Sequence, residues 1–280
     1  MIKNVDNFFY IGKSHTVCDD FSLSKSWDSS GETITLSIVS DGCSNSKNSD
    51  IGSRMLCSDI MRVCSKVQEN FENCKNTILS GLKFIFYDLM DRYGNIYGAS
   101  FLDCTLLIAL SNKDITEVFV FGDGSLLVDY RDHNSYRGGI EFYNFEFENN
   151  APPYQSYRMN EERERRYLKL APTMTVEVFS DIKENCSVRV HEQNLLSVKT
   201  FKFLHEDIYR LILCTDGVSS FSNKVTGEIK SFSDIGKELI AIKNDTGVFL
   251  QRRAKRILED MGKENFFNQD DFSACAILYI

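Results

Sequence analysis

Three apolar runs of the chain end on the same dipeptide. LSIVSDG closes on Asp41-Gly42, VFVFGDG on Asp123-Gly124 and RLILCTDG on Asp216-Gly217. Two acidic pairs frame this set: Asp19-Asp20 in GKSHTVCDDFSL, and Asp270-Asp271 in NQDDFSACAILYI, directly before the last apolar run. A single Asp-Gly reads as a turn, because both residues tolerate positive φ. Acidic strand ends recurring along the whole chain need a joint explanation, since turns accept Gly, Asn or Ser as readily as Asp. Carboxylates at neighbouring strand ends repel one another unless a cation neutralises them. An all-oxygen donor set without His or Cys partners suits Mg²⁺ or Mn²⁺, not Zn²⁺ or Cu²⁺. The carboxylates outnumber the needs of one ion, so two ions about 3.5 to 4 Å apart would activate a bridging water for in-line displacement at phosphorus. The chemistry this names is metal-assisted phosphoester hydrolysis. Gly42 fits it, because backbone without a Cβ can approach an ion and offer its carbonyl.

Other phosphatase chemistries fit less well. An aspartyl nucleophile of the haloacid-dehalogenase type needs Asp-x-Asp, and Cys43 stands two residues after Asp41. Cys43 and Cys214 lack the Cys-x5-Arg loop of cysteine phosphatases; the first Arg after Cys43 is Arg54. His133, His191 and His205 lie in polar surroundings without a partner pattern and read as surface or core-edge residues. His15, close before Asp19-Asp20, is the histidine to retain.

The elements that must position these residues are mostly strands. Segments rich in β-branched and aromatic residues occur at 8–11, 33–40, 105–110, 116–121, 125–130, 140–147, 174–179, 187–190, 209–214 and 273–280. Helical periodicity covers 50–69 and 75–93, then 234–243 and 247–261. Helices thus come in two pairs inserted among strands, not as alternating βαβ units. This predicts an α+β fold of two packed, mostly antiparallel sheets, a β-sandwich flanked by pairs of antiparallel helices. The segment 148–170, ENNAPPYQSYRMNEERERRYLKL, is the longest without strand pattern and reads as a flap on a single domain spanning 1–280.

Composition bounds the partners. A net charge of −8 gives no basic footprint and argues against nucleic acid or an anionic membrane surface. The local basic runs around Arg163 and Arg252 are interleaved with acidic residues and read as solvated helix faces. Nine cysteines without a Cys-x-x-Cys pair form neither a disulfide framework nor a zinc site. The N-terminus has no apolar signal core, and a reducing, cytoplasmic setting is expected.

The ordered set of motifs resembles the PPM family, the type 2C metal-dependent serine/threonine protein phosphatases, in its bacterial branch. GKSHTVCDD resembles the branch's Gly-x-Ser-His followed by Gln-Asp or Glu-Asp, and IVSDGCSNSKNSDIGSRML its strand, Asp-Gly, Ser-rich turn and helix. DCTLLIAL resembles the Gly-x-Thr strand, FVFGDGSLLV the Gly-Asp-Ser or Gly-Asp-Gly strand, LILCTDGVSS the later Asp-Gly, and QDDFSACAIL the final Asp-Asn or Asp-Asp strand. The resemblance implies a protein serine/threonine phosphatase whose substrate is a phosphorylated protein, opposing a Ser/Thr kinase. Its attack would come directly from a hydroxide bridging two Mg²⁺ or Mn²⁺ ions. It implies that Asp41 bridges both ions, that the Gly42 carbonyl binds one, and that Asp216 and Asp270 complete the other shell. Asp20 would hold metal-bound water, and Asp123 with Asp216 would form a weaker third site. Asp20, Asp41 and Asp216 are the expected catalytic carboxylates. The family's phosphate-clamping Arg is replaced by His15, a weaker and pH-dependent candidate for the substrate phosphate. Asp103-Cys104 replaces a Gly-x pair. The alternative is a pseudophosphatase that binds a phosphoprotein or partner without turnover.

Overall fold

The computed structural model describes residues 1–29, 31–66, 70–131, 139–170, 172–180, 188–192 (backbone only) and 198–280. His133, Cys186 and residue 187, which begins the expected 187–190 strand, lie outside the described residues, as does the side chain of His191.

The chain runs β1 (Ile2–Tyr10), β2 (Phe21–Ser29), β3 (Glu32–Ser40), then α1 (Ser49–Cys64), α2 (Phe71–Asn76) and α3 (Leu82–Tyr97). It continues through β4 (Leu106–Ser111), β5 (Ile115–Phe121), β6 (Gly124–Tyr130), β7 (Gly139–Phe147), α4 (Glu161–Leu170), β8 (Met174–Ser180) and β9 (Val188–Glu192). Next come β10 (Lys199–Leu204), β11 (Ile208–Cys214), β12 (Phe221–Asn223), α5 (Phe232–Ile240), α6 (Phe249–Lys263), β13 (Phe266–Asn268) and β14 (Phe272–Tyr279). One sheet has the order β1-β14-β11-β6-β7-β8-β9, the other β10-β5-β4-β3-β2. Neighbouring strands in both are antiparallel.

Period-2 alternation explains why the two sheets stack and why helices cover both. In β4, Leu106, Ile108 and Leu110 face a core shared with α1, α2 and α3, whereas Leu107 and Ala109 face the opposite sheet. In β14, Cys275, Ile277 and Tyr279 point between the sheets, and Phe272, Ala274, Ala276 and Leu278 point toward α5 and α6. Strands buried on both faces read as continuous apolar runs, which is how the sequence presents them. Each fully buried large side chain contributes about 2 kcal/mol, and three such cores cement four layers. The architecture is the expected helix-flanked sandwich.

The differences from the sequence reading are local. The expected 75–93 helix is two helices joined by a wide turn at Thr77–Gly81. Strands β2 and β10 were not expected, because each sits at a sheet edge and carries polar residues. The polar side of β2 is nonetheless paired: Ser24 bonds Ser37 at 2.9 Å and Ser26 bonds Thr35 at 2.8 Å across to β3. His205 is buried, contrary to its polar neighbourhood in sequence. Its Nδ1–H donates to the Lys113 carbonyl at 3.1 Å and its Nε2 accepts from the Thr116 hydroxyl at 3.0 Å. Thr116 in turn bonds the Tyr279 hydroxyl at 2.7 Å, so this network links the two sheets. No helix among the described residues is long and apolar enough to cross a membrane.

Candidate metal centre

Strand register gathers the acidic residues at one end of the sandwich. Ser40 pairs with Phe21, so Asp41 and Asp20 emerge side by side from β3 and β2. In the facing sheet Cys214 pairs with both Ala274 and Ser125, which brings Asp216, Asp270 and Asp123 to the same edge. Two glycines permit the tight approach. A Cβ on Gly217 would lie 1.6 Å from the Asp271 carbonyl oxygen, so only glycine lets the Asp216 turn rest on the start of β14. A Cβ on Gly42 would meet the Asp19 and Ser49 carbonyl oxygens at 2.8 Å.

Asp20 is buried and its Oδ2 accepts from the Thr215 hydroxyl at 2.6 Å. Burial, then the charges of Asp216 and Asp271, drive it well above the usual carboxylate range. Asp41 is raised likewise by burial and by Asp216, Asp20, Asp123 and Asp270. Burial and Asp216 raise Asp123, and burial with Asp270 pushes Asp216 up to about 7. Asp270 is also raised by burial, against the Asp271 N–H and His15, which lower it. Among the described residues no Lys or Arg pairs with any of the five. Asp123 Oδ1 is buried without a hydrogen-bond partner. Burial without a counter-charge is expensive, and an orphaned carboxylate oxygen in an all-oxygen cluster fits a hard divalent cation.

A cleft of about 350 Å³ opens beside this cluster, lined by Asp123, Asn144, Glu146, Asn150, Asp216, Ser219, Ser220 and Asp270. Among the described residues, the one group of three potential ligands whose donor atoms all lie within 4.8 Å is His15, Asp19 and Asp271. Within that group Asp271 is already satisfied by the backbone. Asp271 accepts from the Gly12 N–H at 2.7 Å and the Asp19 N–H at 2.5 Å. It pins the N-terminal loop to β14. The five aspartates of the cluster span a wider space than one compact ion shell.

The family profile described as Protein phosphatase 2C matches residues 11–259. The chain belongs to the protein phosphatase 2C family. It is a phosphoprotein phosphatase of the serine/threonine class. Among solved structures it is similar to serine/threonine phosphatase Stp1 from Staphylococcus aureus, with 14% identity, 100% of this chain and 96% of that chain covered, and a TM-score of 0.59. PppA from Pseudomonas aeruginosa matches at 14% identity, 100% and 99% coverage and a TM-score of 0.53. The catalytic domain of the serine/threonine phosphatase PstP, in complex with two manganese ions, matches at 9% identity, 99% and 98% coverage and a TM-score of 0.51. At these identities the likeness is one of fold. No curated protein matches the sequence closely enough to stand as a relative.

In this phosphatase, His15 does not point freely into the cleft. Its Nε2 lies 3.3 Å from Asp270 Oδ1, and its Nδ1 lies 3.0 Å from Asp271 Oδ2 without hydrogen-bond alignment. Burial lowers its pKa, but Asp271, Asp270 and Asp19 outweigh that and raise it above 6.5. Sequence reasoning missed Thr215, which steadies Asp20, and Glu146, whose charge reaches both Asp123 and Asp216. Thr215 was legible as the residue before Asp-Gly. Glu146 had no signal, because its role depends on β7 lying beside β6.

Proposed function

We propose that this chain is a Mg²⁺- or Mn²⁺-dependent phosphatase that releases phosphate from phosphoserine and phosphothreonine in proteins. The carrying observation is the cluster of carboxylates, Asp20 and Asp123 buried and Asp41 and Asp216 half-buried, with no Lys or Arg among the described residues to balance them. Asp41, the Gly42 carbonyl, Asp216 and Asp270 would hold two ions, with Asp20 beside them and Asp123 with Asp216 serving a weaker third. When bound, two such ions supply an activated water and offset charge on the phosphoryl group, so phosphorus is attacked without a covalent enzyme intermediate. The protein's own part is orientation. Thr215 fixes the Asp20 carboxylate, and the Asp271 N–H donates to Asp270 Oδ1 at 2.9 Å. For His15 to touch a substrate phosphate, its ring must leave Asp270.

Residues 1–280 work as one phosphatase domain in this reading, with 148–170 as a flap. The absence of a basic footprint at net charge −8 supports a protein substrate over nucleic acid. Cys18, Cys43, Cys57, Cys104, Cys214 and Cys275 are free thiols, in keeping with a reducing cytoplasm, where a Ser/Thr kinase would act in opposition. A pseudophosphatase would be expected to have lost a ligand, and every acidic position is filled. Purified protein should release phosphate from a phosphopeptide only with Mn²⁺ or Mg²⁺, and Asp41→Asn should abolish turnover. Turnover that survives EDTA would refute the proposal.

A further inference from the structure

The pair Asp103-Cys104 departs from the family's Gly-x, and the departure introduces a buried carboxylate. Asp103 is 3% exposed. Its Oδ1 accepts from the Ser156 hydroxyl at 2.6 Å, and its Oδ2 accepts from the Ser46 hydroxyl at 2.9 Å and from Arg163 Nη2 at 2.6 Å. Ser46 belongs to the turn that follows Asp41-Gly42, and Ser156 and Arg163 belong to the flap. The Asp103 carbonyl also accepts from the Cys43 N–H at 2.9 Å. A single residue therefore binds the metal-bearing turn with its backbone and joins that turn to the flap with its side chain.

The contacts continue from Asp103 toward the cleft. The Arg163 guanidinium stacks 4.6 Å over the Tyr157 ring and donates from Nη1 to the Ala99 carbonyl at 3.3 Å. Tyr157 meets Tyr154 edge to face at 5.3 Å. Tyr154 lies beside Cys43, next to Gly42, and within reach of the charges of Asp41 and Asp123. Within α4 one residue, Tyr167, is buried, and Pro152, Pro153, Tyr157 and Met159 add the flap's other apolar contacts, so the polar dock at Asp103 acts alongside packing. A half-buried charge pair whose buried carboxylate takes two further hydroxyl donors is stronger than a surface pair, and removing Arg163 leaves that carboxylate without its counter-charge.

We infer that Asp103 is a positioning residue that docks the 148–170 flap onto the turn after Asp41-Gly42 and thereby fixes Tyr154 beside the aspartate cluster. Its effect on turnover rests on the phosphatase reading; the docking itself does not. Substrate that enters beneath Tyr154 should lose affinity when the dock is released. The chemical step on a small aryl phosphate, which needs no flap contact, should persist.

The test pairs hydrogen–deuterium exchange with kinetics on the full chain in Mn²⁺, comparing wild type, Asp103→Asn, Arg163→Ala and Arg163→Lys. Loss of the charge-assisted bonds should raise amide exchange across residues 155–168, and the KM for a phosphopeptide, by about tenfold in Asp103→Asn and Arg163→Ala. The kcat on p-nitrophenyl phosphate should stay within about twofold of wild type, and Arg163→Lys should recover part of the KM by restoring the charge. Arg163 is on the flap, so its replacement tests the dock even where Asp103→Asn folds poorly. Flap exchange equal to wild type in both variants would overturn the docking. Raised exchange with an unchanged phosphopeptide KM would overturn the positioning of Tyr154. A wild-type chain without metal-dependent turnover would refute the phosphatase reading alone, leaving exchange to decide the dock.

Discussion

Thr215 donates its hydroxyl to Asp20 at 2.6 Å, although 195 positions separate them in the chain. The same hydroxyl accepts from the Ser273 N–H at 3.0 Å. One small side chain thus ties the start of β2, in one sheet, to β11 and β14 in the other, at the edge where the aspartates converge. Thr215→Val keeps the shape and deletes both bonds. It should lower kcat/KM and Mn²⁺ affinity by about tenfold each, while Thr215→Ser stays near wild type, as steady-state rates and calorimetry would reveal.

Charge repulsion among the aspartates makes a prediction that needs no substrate. Asp41→Asn removes a charge facing Asp216, Asp20, Asp123 and Asp270. In EDTA its Tm should exceed that of wild type, by the equivalent of about 1 kcal/mol or more. In saturating Mn²⁺ the order should reverse, because ligand binding stabilises wild type by about 2.7 kcal/mol at one hundred times Kd. Differential scanning calorimetry in both conditions checks the crossing; a metal-free Tm at or below wild type would count against the crowding of these charges.

Gly217 should be intolerant of even one added methyl. Its Cβ would stand 1.6 Å from the Asp271 carbonyl oxygen, which is backbone and cannot swing aside. Gly217→Ala should cost about 3 kcal/mol by overpacking and pull Asp216 away from Asp270. Urea unfolding measures the first effect and the affinity for Mn²⁺ the second.

Acid sensitivity should come partly from the network far from the cleft. Burial lowers His205 to about 4, against 6.5 for the free side chain. Between those values the unfolded chain binds the more protons, so stability falls as pH falls through this window and is fully present above 6.5. The loss between pH 6.5 and 5 should be about 2 kcal/mol. His205→Gln should flatten that part of the Tm against pH curve, whatever its Tm at pH 7. A curve parallel to wild type would show that His205 does not carry the effect.

What the sequence determined by itself follows from local periodicity and residue type. The apolar runs of β3, β5, β11 and β14, the paired helices and the Asp that borders each run were legible, because strands buried on both faces and acidic strand ends leave their mark within a few residues. The edge strands β2 and β10 left a weaker mark, since their polar side chains find partners across the sheet. Tertiary structure alone decided how residues at the Asp ends divide their work. Asp271 is buried among N–H donors while its neighbour Asp270 faces the cleft, His15 turns toward those carboxylates, and Glu146 enters the lining because β7 lies beside β6. The same holds for Asp103, which in sequence is an unexplained substitution for Gly. Its partners Ser46, Ser156 and Arg163 lie 53 to 60 positions away, and only folding brings them within hydrogen-bond range of one carboxylate.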